Sequence, residues 1–245
     1  MKNKILLISG CSHAAGSEID GTQDSKFNRS KSFGNLLGDK IGYTPVNIAS
    51  LASNNQCIAR TALEWIQENY NPDHMDLTVL LAWTESSRID IPMNRVTHYE
   101  QWNIACDYKS KTADDYIRVN LGYKGSDKEE IDIVAICHQF IVTNPTYVEL
   151  ISANLILQMQ YFLKLNQINY IMCNTMHMFS NERQIDFYAN QIDQNSYFNL
   201  RDNDKSFYWY YKNKGFINNK AQYWHHGEEP HRLFAENLYN FYVNK

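Results

Sequence analysis

Ser12 lies in Gly10-Cys11-Ser12-His13-Ala14-Ala15-Gly16, directly after the apolar run Ile5-Leu6-Leu7-Ile8. A glycine-flanked turn following a buried strand can project a hydroxyl and aim backbone N–H groups at one point. An acyl-transfer nucleophile and part of an oxyanion hole need that arrangement; the plainer alternative is a serine that caps a turn. A serine hydroxyl is a weak nucleophile at neutral pH and needs a base. His225 and His226 precede a C-terminal helical pattern and His231 falls in its first turn, so this end of the chain can return an imidazole to the serine. His13 points away from Ser12 if the segment stays extended, which leaves it to line the pocket.

These residues need elements to bring them together. Residues 4–9 and 77–83 are uninterrupted apolar runs, the pattern of strands buried on both faces of a parallel sheet. Shorter strands are expected at 46–49 and 168–173. Between them, Phe33, Leu36, Leu37 and Ile41 recur at helical spacing before Gly42, and Ile58, Ala59, Ala62, Leu63 and Ile66 do so after Asn54 and Asn55, either of which can cap the helix. A long helical region is expected over about 129–165, broken near Asn144-Pro145, and a last helix over 230–243. Strand, loop and helix alternate, which predicts βαβ units and an α/β three-layer sandwich with a mostly parallel central sheet. The reading is one domain, 1–245, with irregular insertions at about 90–128 and 175–222. Loops at the carboxyl ends of such strands form the binding crevice, so residues 10–16, 50–55 and 84–88 are expected to converge.

Read together, these segments resemble the SGNH, or GDSL-like, hydrolase superfamily, including divergent members often encoded by bacteriophages. Gly10-Cys11-Ser12-His13 resembles the block that carries the nucleophile. The segment from Asn47 to Asn54 resembles the second block, with Ala52 in place of the oxyanion-hole glycine. Leu81-Ala82-Trp83-Thr84-Glu85 resembles the third, with Thr84 where the family has asparagine. The segment from His225 to Ala235 is similar to the last block and its helix. The resemblance implies a flavodoxin-like fold, a catalytic pair of Ser12 and His225, and an oxyanion hole from Ser12, Ala52 and Thr84. It also implies a serine esterase or deacylase acting on a small or carbohydrate-like acyl ester. Cys11 replaces the usual aspartate beside the serine, and Gln222 stands where the triad aspartate is expected, so His225 has to be oriented by a backbone carbonyl or by another acid, for which Glu228, Glu229 and Glu85 are the candidates. The alternative reading is a binding or assembly protein that keeps the scaffold with impaired catalysis; a transferase using the same serine is a third.

His13, Asn54, Asn55, Glu85 and Arg88 are the candidate substrate-binding residues. For Asn54 and Asn55 capping of the helix that follows is the favoured reading over substrate binding, and Arg88 can clamp an anion or pair with Glu85 or Asp90. The run Phe207-Tyr208-Trp209-Tyr210-Tyr211 reads as core or interface, with stacking on a ligand as the alternative. His74, His98, His138 and His177 have no metal-ligand spacing, and no nucleotide-phosphate loop is present, so no metal or other cofactor is expected. With 23 basic and 27 acidic side chains interspersed, net charge −4, no nucleic-acid partner is expected. Five cysteines without C-x-x-C spacing, and an N-terminal apolar run too short for a secretory signal, point to a reduced cytoplasmic protein with no membrane partner.

Overall fold

The structure, a computed structural model, describes residues 2–92, 105–112, 116–119, 128–177, 179–180 and 182–245. Five parallel strands form the central sheet: β1 (Asn3–Gly10), β2 (Thr44–Asn47), β3 (Met75–Trp83), β6 (Asn169–Asn174) and β7 (Tyr197–Phe198), in the order β2-β1-β3-β6-β7. A separate antiparallel ribbon joins β4 (Ile89–Pro92) to β5 (Tyr116–Val119).

The helices lie on both faces of the sheet. Odd-numbered β1 and β3 residues, with Leu7, Val79 and Leu81, face a core shared with α4 (Asn55–Asn69) and α6 (Pro145–Leu165). Leu6, Ile8 and Leu80 face the other core, built with α3 (Phe33–Ile41), α8 (Phe207–Asn213) and α9 (Glu228–Val243). Two apolar faces per strand explain why the runs at 4–9 and 77–83 do not alternate. The chain is thus an α/β three-layer sandwich with a parallel central sheet.

Local chemistry sets the element ends. Asn54 caps α4 by accepting from the Cys57 N–H at 2.8 Å, and Gly42, at φ 72°, closes α3. α5 (Lys128–Thr143) and α6 are interrupted where Pro145 cannot continue the helix. Among the described residues no single helix is long and apolar enough to cross a membrane; α5 and α6 pass that test only as a pair, bent by 94°.

Most of the insertion expected at about 90–128, His98 included, lies outside the described residues. The segment at 175–222 is more regular than its composition suggested. It contributes β7 to the sheet, with α7 (Arg183–Ala189) and α8 around it.

Candidate active site

Strand register brings the candidate loops to one edge. Gly10 ends β1 opposite Ala82, and Trp83 ends β3 opposite Asn174. The Ser50 N–H donates to the Gly10 carbonyl at 3.0 Å, and the Thr175 N–H to the Trp83 carbonyl at 2.7 Å. The loops after β1, β2, β3 and β6 therefore leave the sheet side by side.

Ser12 begins the short helix α1 (Ser12–Ala15), which stops at Gly16 with φ 77°. A Cβ at Gly16 would collide with the Asn28 carbonyl oxygen, so only glycine allows this reversal. The chain then turns tightly, with the Glu18 N–H donating to the Thr22 carbonyl at 2.9 Å and Glu18 itself at φ 62°. This brings a carboxylate back beneath the serine.

At the other end of the chain, His225 reaches the same spot just before α9. Its Nε2 lies 2.8 Å from Ser12 Oγ and its Nδ1 lies 2.6 Å from Glu18 Oε2. The Glu18 carboxylate also accepts the Gln222 N–H at 2.8 Å and the Tyr223 N–H at 2.9 Å, while the Asn218 side-chain amide donates to the Glu18 carbonyl. Burial opposes ionisation of Glu18, but the hydrogen bonds from His225, Tyr223 and Gln222 outweigh it and hold its pKa below the usual glutamate value. With the carboxylate ionised, Nδ1 carries the proton and donates, and Nε2 is free to accept from the serine hydroxyl.

The acid beside His225 is therefore Glu18, not one of the three glutamates singled out from the sequence. Glu85 accepts from Arg88 Nε at 2.7 Å, Glu229 pairs with Arg232, and Glu228 lies 3.9 Å from Lys31. Gln222 meets Glu18 only through its backbone. No residue pattern in the sequence singles out Glu18, which lies six positions after Ser12.

His13 is 6% exposed, and because the segment is helical rather than extended it does not swing away. Its ring centroid is 4.9 Å from that of His225 and 5.5 Å from that of Tyr208, and its Nδ1 is buried without a hydrogen-bond partner among the described residues. Burial, then the charges of His225, His226 and Arg88, push its pKa well below the ordinary value. His226 Nε2 donates to the Tyr208 carbonyl at 2.9 Å, and His231 Nδ1 accepts from the Phe33 N–H at 3.1 Å, so both bind the terminal segment to its neighbours.

Ala52 sits in the left-handed region at φ 57°. Thr84 is fully buried, and its Oγ1 lacks a partner among the described residues. Asn54 and Asn55 have structural work. Besides its cap, Asn54 donates to Asp90, and Asn55 exchanges two bonds with the Thr84 backbone, at 2.9 and 3.1 Å, and donates to Ser152. Arg88 donates from Nε to Glu85 at 2.7 Å. Among the described residues no cluster of three or more His, Cys, Asp or Glu side chains is arranged to hold a metal ion.

No protein-family model matches the chain, and no curated protein does. Among solved structures it is similar to an acetyl xylan esterase from the rumen bacterium Butyrivibrio proteoclasticus, at 12% identity over 100% of this chain and 64% of that one, TM-score 0.45. It is also similar to a carbohydrate esterase family 2 enzyme with a carbohydrate binding domain from Corynascus thermopiles, at 12% identity over 97% and 64%, TM-score 0.41. A third is a putative lipolytic protein of the G-D-S-L family from Desulfitobacterium hafniense, at 11% identity over 98% and 99%, TM-score 0.33. The chain spans somewhat less than two thirds of the length of these carbohydrate esterases.

Proposed function

We propose that this chain is a serine ester hydrolase, an esterase or deacylase for a small or carbohydrate-like acyl ester, working through Ser12, His225 and Glu18. The observation that carries the reading is the unbroken relay from Ser12 Oγ to His225 Nε2 at 2.8 Å and from His225 Nδ1 to Glu18 at 2.6 Å. Hydrogen-bond reach between nucleophile, base and orienting acid is the requirement for activating a serine.

In this reading Ser12 Oγ attacks the ester carbonyl carbon while its proton passes to His225 Nε2. Glu18 stabilises the imidazolium and fixes its tautomer without itself taking the proton. The oxyanion is held by the Ser12 and Ala52 N–H groups with help from Thr84. Collapse breaks the ester C–O bond, and His225 returns the proton to the leaving alkoxide. Water then attacks the acyl-serine, again giving its proton to His225, and the carboxylic acid leaves as Ser12 is restored. His13, Glu85 and Arg88 are proposed to contact substrate; the hydrogen bonds of Asn54 and Asn55 argue for support of the site from beneath.

Ser12→Ala should abolish turnover of p-nitrophenyl acetate while leaving the melting curve intact; equal residual turnover would remove the assignment. One observation favours the second reading, a scaffold with impaired catalysis: the Thr84 side chain is fully buried, and loss of one oxyanion donor costs on the order of 100–1,000-fold. A fluorophosphonate probe separates the two, since covalent labelling at Ser12 requires the activated hydroxyl.

A further inference from the structure

Hydrogen bonds at Nδ1 and Nε2 hold the His225 ring at two of its atoms. Two such anchors leave one motion open, a swing of the ring about the line joining them. That swing bends both bonds away from linearity, where hydrogen bonds weaken steeply. A group packed against the imidazole stops it.

His13 is in place to do so. Its ring centroid lies 4.9 Å from that of His225, with the two planes tilted by 56°. It follows the serine directly in sequence, on α1, and is buried. Its own position is braced from behind by Tyr208 at 5.5 Å and by the edge of Phe207 at 5.7 Å. Both belong to the aromatic run 207–211. Phe207 is fully buried and meets the rings of Phe33, His226, His231 and Phe234 at 4.7 to 5.4 Å. The Tyr208 backbone is pinned on two sides, its N–H donating to the Thr175 carbonyl at 2.9 Å and its carbonyl accepting from His226 Nε2 at 2.9 Å. The wall behind His13 is thus fixed both to the loop after β6 and to the segment that carries His225.

The His13 imidazole serves here by its body. Its Nδ1 is buried without a hydrogen-bond partner among the described residues, and burial holds the ring uncharged. Neutrality matters, because His225 becomes positive as it takes the serine proton and a second charge at this distance opposes that.

We propose that His13 is a positioning residue: its ring, braced by Phe207 and Tyr208, holds the His225 imidazole in line between Glu18 and Ser12. The proposal rests on the reading of Ser12, His225 and Glu18 as a catalytic relay, and gives His13 a task beyond contact with substrate.

The test measures kcat and KM for p-nitrophenyl acetate, with melting temperatures, on the full chain and on His13→Ala and His13→Phe. In His13→Ala kcat should fall on the order of 10- to 100-fold, the scale of loss when a reacting group is misplaced, with KM unchanged. His13→Phe, which keeps a flat uncharged ring, should recover most of that loss. Should His13→Ala not fold, His13→Leu, which fills the volume without a flat ring, takes its place. An unchanged kcat in the ringless variant, an equal fall in His13→Phe, or a rise in KM with kcat held overturns the proposal while leaving the Ser12 reading in place. If the unaltered protein turns over no ester, the Ser12 reading fails by itself and NMR decides the role of His13. The downfield proton on His225 Nδ1, assigned by its loss in His225→Ala, should persist in His13→Phe and broaden or vanish in the ringless variant. A signal equally sharp in the ringless variant overturns the proposal, and its absence from the unaltered protein overturns relay and proposal together.

Discussion

The Glu18 carboxylate accepts three hydrogen bonds, from one imidazole and two backbone N–H groups, within a residue only 1% exposed. Such a carboxylate orients the ring and also anchors the segment that carries it. Glu18→Gln keeps the size but removes the charge that selects the Nδ1–H tautomer, so kcat for p-nitrophenyl acetate should fall on the order of 100–10,000-fold. Glu18→Asp should recover part of that loss, whereas a purely structural role would show in melting temperature with little change in kcat. Ser12 was legible from its turn after the first strand; residue type and chain position left His225, His226 and His231 open, and the resemblance of the last block singled out His225. Glu18 was not, because its reach depends on a left-handed turn after Gly16 that no spacing rule announces. Asn54 and Asn55 illustrate the reverse case, polar residues in a crevice loop whose hydrogen bonds are all directed inward.

At the scale of elements, the loop after β2 contains a strained position. Ala52 at φ 57° adopts a conformation that costs an L-residue about 1–2 kcal/mol. Ala52→Gly should therefore raise the melting temperature by about 2–4 °C, the shift that about 1 kcal/mol gives in a protein of this size. Gly16→Ala should do the opposite and more strongly, because the added Cβ meets the Asn28 backbone as well as a left-handed φ; thermal melts of the two variants check both. The strands at 4–9 and 77–83 and the break at Pro145 were readable from apolar runs and from proline. The second strand begins two residues earlier than expected, at Thr44, since pairing with Ile5 begins there. The edge strand β7 is two residues long, too short for any periodicity to mark.

Across the whole molecule, three histidines are buried among the described residues: one on α1, one just before α9 and one in the first turn of α9. His13, His226 and His231 all have pKa values pushed below the ordinary 6.5, burial being the largest cause in each. The unfolded chain thus takes up protons before the folded one as pH falls. Their contribution to stability is complete above about 6.5 and declines below it, by about 1.4 kcal/mol per pH unit for each proton taken up. Glu18, also depressed, adds a loss of the same sign at lower pH, beginning near its ordinary 4.5. Melting temperature should accordingly fall between pH 7 and 5, and a constant value across that interval would contradict the neutral burial of these imidazoles.

Much of the architecture was written in local pattern. Apolar runs, helical spacing and capping residues are properties of neighbouring positions, and they determined an α/β sandwich with Ser12 at a strand end. The relay is a different kind of fact, joining residues 12, 18 and 225 across more than 200 positions of chain. Hydrogen bonds of 2.6 to 2.8 Å between such distant groups are set by how the sheet, the turn after Gly16 and the segment before α9 pack together. Only tertiary structure could decide which carboxylate meets the histidine, because acidic side chains look alike in sequence and differ in where folding leaves them.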